Sequence, residues 1–111
     1  MIMSNPKTQK AVIKLDFPVQ LADRLLSEVI MRSPNVGDLL DHPARKGGGL
    51  ADEVRLVCAL TGLVEEDLRG IDASDYDKLQ DQLALFRGLS REELAQIKSD
   101  ALKQAVSMGA E

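Results

Sequence analysis

Apolar and polar residues alternate only near the start of this chain, and that sets the architecture. Across residues 11 to 19, Ile13, Leu15, Phe17 and Val19 point one way while Lys14, Asp16 and Pro18 point the other. A period of two is the mark of a half-buried strand. Pro18 has no N–H to donate, which puts that end at a sheet edge or a strand terminus. Residues 20 to 24 (Gln-Leu-Ala-Asp-Arg) make a turn with Asp23 as its turn residue, and residues 25 to 32 form a second strand. There Leu26 and Ile30 alternate with Val29 and Met31, with Glu28 and Arg32 placed toward water. The short polar link makes the pair an antiparallel hairpin. Two strands alone are marginal and leave open edges. A strand edge is therefore expected to pair with another subunit or to pack on the fourth helix of the chain.

After Pro34 the apolar spacing becomes helical. Asn35 caps a helix of at most two turns, with Asp38 in its first turn, where the dipole favours a carboxylate; Pro43 stops it. Residues 42 to 49 (His-Pro-Ala-Arg-Lys-Gly-Gly-Gly) are a flexible connector. A second helix runs from about Leu50 to Thr61. Leu50, Val54, Val57, Cys58 and Thr61 form one stripe, and Leu56, Ala59 and Leu60 cover much of the rest, which makes it the central helix. Gly62 stands in position for a left-handed cap. Glu65-Glu66-Asp67-Leu68 is a short acidic turn closed by Gly70. Asp72 or Ser74 caps a fourth helix to about Arg87, with a heptad-like seam of Tyr76, Leu79, Leu83 and Phe86. Gly88 interrupts the pattern, and Ser90-Arg91-Glu92-Glu93 is a capping box opening a last helix. That helix carries Leu94, Ile97, Ala101, Ala105 and Met108 on one side. The predicted class is α+β: an N-terminal antiparallel β-hairpin followed by a mostly α-helical domain of four to five helices. Residues 1–10 read as a flexible tail, 11–88 as the hairpin plus helical core domain, and 89–111 as a C-terminal helical extension.

Composition narrows the function. In 111 residues the aromatics are Phe17, Phe86 and Tyr76 alone, so the core is aliphatic, which suits helix packing better than a sandwich. Fourteen Lys and Arg are scattered among 18 Asp and Glu, for a net charge of −4. Nucleic-acid binding needs a basic face to neutralise phosphates, so no nucleic-acid partner is expected. No apolar run approaches the roughly 18 residues that span a bilayer, so no membrane partner is expected either.

Candidate chemistry fails position by position. His42 has no Cys or His neighbours at zinc spacing. Cys58 sits mid-helix among apolar residues with no base beside it, and as the one cysteine it forms no intrachain disulfide. In Lys46-Gly47-Gly48-Gly49 the Lys precedes the glycines, the reverse of a phosphate-binding loop. Asp72, Asp75 and Asp77 begin like a calcium loop, but Asp77 and Leu83 occupy the places that need Gly and Glu. These acids are expected to cap and solvate a helix start. No catalytic residue, metal ligand or cofactor is expected.

The order of the segments carries a resemblance. It runs through Leu15-Asp16-Phe17-Pro18-Val19, then Met31-Arg32-Ser33-Pro34-Asn35-Val36-Gly37-Asp38-Leu39. It continues through Leu56-Val57-Cys58-Ala59-Leu60-Thr61-Gly62-Leu63 and Ile71-Asp72-Ala73-Ser74-Asp75-Tyr76. Over about residues 11 to 87 the chain resembles the phage Mu-type tail assembly chaperone (tail assembly protein) family. It lacks that family's usual Gly after Asp23, and Val64 stands where Ser or Pro often caps the acidic turn. The resemblance implies a non-enzymatic protein that binds the tape measure protein and keeps it soluble and extended during tail tube assembly. It implies action in the host bacterial cytoplasm and absence from the mature particle. The alternative is a structural tail-completion or head–tail adaptor subunit. Open strand edges point to a homo-oligomer. The expected partner-binding surface is the ridge of Leu83, Phe86, Leu89, Leu94, Ile97, Ala101 and Met108.

Overall fold

In the computed structural model, which describes residues 9–109 (side chains through residue 102), a hairpin comes first and helices follow. Strands β1 (Lys10–Gln20) and β2 (Leu25–Arg32) pair antiparallel as a two-stranded sheet. Helices α1 (Val36–Asp41), α2 (Gly49–Thr61), α3 (Glu65–Arg69), α4 (Ala73–Phe86) and α5 (Arg91–Gly109) complete the described chain. The α+β class and the order of elements are those the periodicity predicts. Of the segment expected as a tail, residues 1–8 lie outside the described residues, and β1 already begins at Lys10.

One face of the hairpin is the floor of the core. Ile13, Leu15, Leu26, Val29 and Met31 are buried, and α2 lies against β2 while α4 lies against β1. Leu56, Val57 and Leu60 of α2, Leu63, Leu68 and Ile71 around α3, and Leu79 of α4 close over that floor. Burying a side chain of this size contributes about 1.5–3 kcal/mol, so the sheet is stable because helices cover it.

The strands depart from simple alternation at a bulge. Pairing runs in register from Lys10↔Arg32 to Lys14↔Glu28 and resumes at Val19↔Leu26, so Leu15 to Pro18 face Ser27 alone. Extra residues in one strand bend it and re-aim its side chains. Phe17, expected inward, is therefore 59% exposed. Ile30, opposite Val12 on the outer face, is also exposed, and Leu26, Val29 and Met31 fill the core from β2.

The bulge frees two backbone donors, and α4 takes them. The N–H groups of Asp16 and Phe17 donate to Oδ1 and Oδ2 of Asp75 at 2.9 and 3.0 Å. Asp75 is fully buried, which corrects the expectation that the acids of this segment merely cap and solvate a helix start. Lys78, one turn on, reaches Asp75 at 3.2 Å and Asp16 at 2.9 Å and donates to the Lys14 carbonyl at 3.2 Å.

The inward face of α2 is also rotated from the predicted one. Asp52, Leu56, Val57 and Leu60 are buried, while Leu50 is 61% exposed and Val54, Cys58 and Thr61 are half-buried. A carboxylate can start a buried stripe only when its charge is met. Here Arg45 meets it through its N–H and Nη2, each at 2.7 Å, and Arg55 through Nη1 at 2.7 Å.

Capping follows the sequence. Asn35 and Asp38 each accept the other's N–H at 2.9 Å. Gly62 ends α2 at φ 77, donating to the Cys58 carbonyl. Asp72 caps α4 through the Ser74 N–H. Ser90 and Glu93 form the expected box before α5. Arg32, expected to face water, instead grips Asp38 through both Nη atoms at 2.6 and 2.7 Å, tying β2 to α1.

Candidate functional site

Two of the apolar surfaces left after the core closes are built by helices α2 to α5. The first is an open groove of about 430 Å3 between α2, α3 and the start of α4. The left-handed turn at Gly62 sends the chain back so that α3 lies beside α2, and Leu68 and Ile71 anchor it by burial. Val54, Leu68, Ile71 and Tyr76 line the groove, and Leu50 stands exposed at its lip. Tyr76 is fixed across the helices: its OH donates to Glu53 Oε1 at 2.7 Å, and Gln80 Nε2 donates to the same oxygen at 2.9 Å. Burial, reinforced by the Glu53 carboxylate, pushes the phenol well above its ordinary range, so it stays a donor. The flanking segment is acidic, with Glu65, Glu66 and Asp67 opening α3 and Asp72 capping α4. Arg69 stands among them and is bonded to Glu65 at 3.1 Å.

The second surface is the predicted ridge, which splits in two. Leu83 and Phe86 are half-buried against the edge of the core. Leu89 and Leu94 are half-buried on either side of the α5 cap. Ile97, 52% exposed, and Ala101 lie on the open surface of α5, joined by Leu102 at 66%. The side chain of Met108 lies outside the described residues. Gly88, at φ 105, turns the chain between α4 and α5 in a conformation that a side chain disfavours. Across that turn Lys98 reaches Asp81 at 2.6 Å.

Nothing in the apolar periodicity marked the groove. Leu50 and Val54 read as members of one core stripe and Tyr76 of another, and no sequence signal brings Leu68 and Ile71 beside them. A smaller hollow between α1 and α2 is lined by Asp41, His42, Arg45, Asp52 and Arg55 among others, and there Asp52 is spent on Arg45 and Arg55. The Cys58 thiol is half-buried; burial first, then the charges of Glu65 and Asp67, push its pKa up and keep it protonated. Among the described residues no group of three or more His, Cys, Asp or Glu is placed to hold a metal, and no helix is long and apolar enough to cross a membrane.

A family model described as phage tail assembly chaperone proteins, E, or 41 or 14, matches residues 12–88. That span takes in nearly all of the hairpin, α1 to α4 and the groove, and leaves α5 beyond it. No curated protein and no solved structure matches the chain.

Proposed function

The chain belongs to the phage tail assembly chaperone family, and we propose that it works by binding the tape measure protein and keeping it soluble and extended while the tail tube assembles. The single observation that carries this reading is the family match over residues 12–88, most of the chain. The exposed apolar side chains suit the task. Leu50, Val64, Ile97 and Leu102 are all more than half exposed on a chain that is 29% charged.

A helical client binds by laying an apolar stripe against such a surface. Burial contributes about 25 cal/mol per Å2 before ordering costs are subtracted, so a few Leu-sized contacts bind weakly. Many copies along one client bind strongly together through avidity, yet each remains releasable. No bond is made or broken in this role. It places the protein in the host bacterial cytoplasm, acting as a homo-oligomer and leaving before the particle is complete.

The test is co-expression with the tape measure protein. The soluble fraction of the client should rise several-fold with this chain present, and mass spectrometry of purified particles should find the chain missing. Retention in the particle would instead indicate a tail-completion or head–tail adaptor subunit.

A further inference from the structure

We propose that the free edge of β2 pairs antiparallel with β2 of a second copy, with the two-fold axis at Ile30, so that two hairpins become one four-stranded sheet. This gives a surface to the homo-oligomer of the reading above and holds whatever the client.

The hairpin has two edges, and the chain uses one of them. The Ser33 N–H donates to the Gln9 carbonyl at 2.7 Å. Hydrogen-bonded pairs recur at every second residue, so Ala11 and Ile13 bond across to Met31 and Val29, while Lys10, Val12 and Lys14 turn their N–H and C=O away from β2. On that side α4 meets them: Lys78 donates to the Lys14 carbonyl, and Asp75 accepts the Asp16 N–H. By the same alternation Glu28, Ile30 and Arg32 turn their N–H and C=O outward from β2. The sheet ends there, and among the described residues no backbone hydrogen bond from elsewhere reaches them. Glu28 and Ile30 are exposed. Such an edge is a template for another strand, whereas a helix has already spent its backbone groups on itself.

The edge is complementary to itself. With the axis at Ile30, Ile30 meets Ile30 of the second copy, and Glu28 stands opposite Arg32 of the second copy on either side of the axis. About six backbone hydrogen bonds follow from these pairs. Among the described residues Glu28 makes no ion pair of its own. Arg32 already holds Asp38, so the pair with Glu28 fixes register more than it adds strength. Centring the axis on Glu28 or on Arg32 would oppose like charges. Val12 lies across from Ile30 on the same exposed face, so the joined sheet carries a continuous apolar row of Val12 and Ile30 from both copies. The β1 edge offers no equivalent. Helix α4 occupies it from Lys14 onward, and a copy centred on Val12 would set Lys10 against Lys14.

The test is a cysteine cross-link in the full chain, with Cys58→Ala as background. Ile30→Cys and Val12→Cys replace side chains of similar exposure, 52% and 57%. Across the axis the Ile30 Cα atoms would lie about 5.5 Å apart, within disulfide range, and the Val12 Cα atoms about 14 Å apart. Oxidation with copper phenanthroline at high micromolar protein should link Ile30→Cys at least about tenfold faster than Val12→Cys. Ile30→Lys puts two like charges on the axis, and Glu28→Arg opposes Arg32. Each should weaken the dimer at least about tenfold in sedimentation velocity. Both positions are exposed, so both variants should keep the wild-type circular dichroism spectrum.

Equal linking rates for the two cysteines overturn the proposal, as does wild-type dimerisation by either charge variant or a wild type that stays monomeric. Co-expression with the tape measure protein keeps the two readings apart. If the wild type is monomeric yet solubilises the client, the edge pairing fails and the chaperone role stands. If that activity of a monomer is lost in Ile30→Lys, the edge takes a client strand and the pairing fails. If the wild type links through Ile30→Cys and solubilises nothing, the pairing stands and the chaperone role fails.

Discussion

Three carboxylates hold this small domain together from inside. Asp38, Asp52 and Asp75 are all buried, and each ties a helix to a segment that precedes it: Asp38 to Arg32 at the end of β2, Asp52 to the loop at Arg45, and Asp75 to the β1 bulge. Among the described residues no buried side-chain nitrogen or oxygen lacks a partner. The Arg32 hydrogen bonds outweigh burial and, with the Asn35 N–H, bring Asp38 down to about 2 from its ordinary 3.8. The Arg45 side chain and N–H do the same for Asp52, also to about 2. For Asp75 burial pushes upward, but the two bulge N–H groups and Lys78 prevail and the net direction is down.

A carboxylate whose pKa is depressed by folding stabilises the fold fully above its unfolded value and loses that contribution as pH falls through the folded one. The urea midpoint should therefore stay level from neutral pH to about 5 and drop between about pH 4 and 2. Asp38→Asn combined with Asp52→Asn should lower the midpoint at neutral pH and flatten its acid dependence. A midpoint in that variant that still falls as steeply below pH 4 would count against these two groups as the source.

At the scale of single elements, what was legible in the sequence was local. Helix ends are set by residues within a turn of one another, so Asn35, Gly62, Asp72 and Ser90 could be read where they stand. The bulge could not be. Alternation predicts Phe17 inward, and what turns it outward is a carboxylate 58 residues away. The inner face of α2 escapes the apolar pattern for a related reason. An Asp weighs against burial in any hydrophobic pattern, and Asp52 leads the buried stripe because Arg45 in the preceding loop and Arg55 on the same helix both meet its charge. The groove was invisible because it belongs to three helices at once.

Among the described residues, helix α5 supplies none of the buried core. Removing residues 89–111 should leave a cooperative domain whose Tm moves by no more than about 5 °C, on the order of 1 kcal/mol for a chain of this size. If α5 adds contact area for the client, the soluble yield of tape measure protein should drop with it. Unchanged yield would assign client binding to residues 9–88 alone.

At the scale of the whole molecule the shape is extended. The radius of gyration is 15.7 Å and the axes measure 57 × 35 × 27 Å, against about 13 Å for the radius of a compact chain this long. The 19 residues of α5 rise about 28 Å and carry exposed Ile97 and Leu102 with them. The outer face of the hairpin adds Val12 and Ile30. Apolar side chains presented on separate parts of the surface suit contacts among copies as well as with a client. Sedimentation velocity should show species larger than a monomer at high micromolar concentration; a strict monomer there would count against self-association.

The bond from Asp75 to the Asp16 and Phe17 amides also bears on how the chain opens. Because one carboxylate holds two donors of a strand from within a helix remote in sequence, neither element can fray without uncovering an ion in a dry interior. Those two amide protons should therefore trade for deuterium only when the entire domain comes apart. The first strand and the fourth helix would then be a single foldon, although more than fifty residues of chain lie between them.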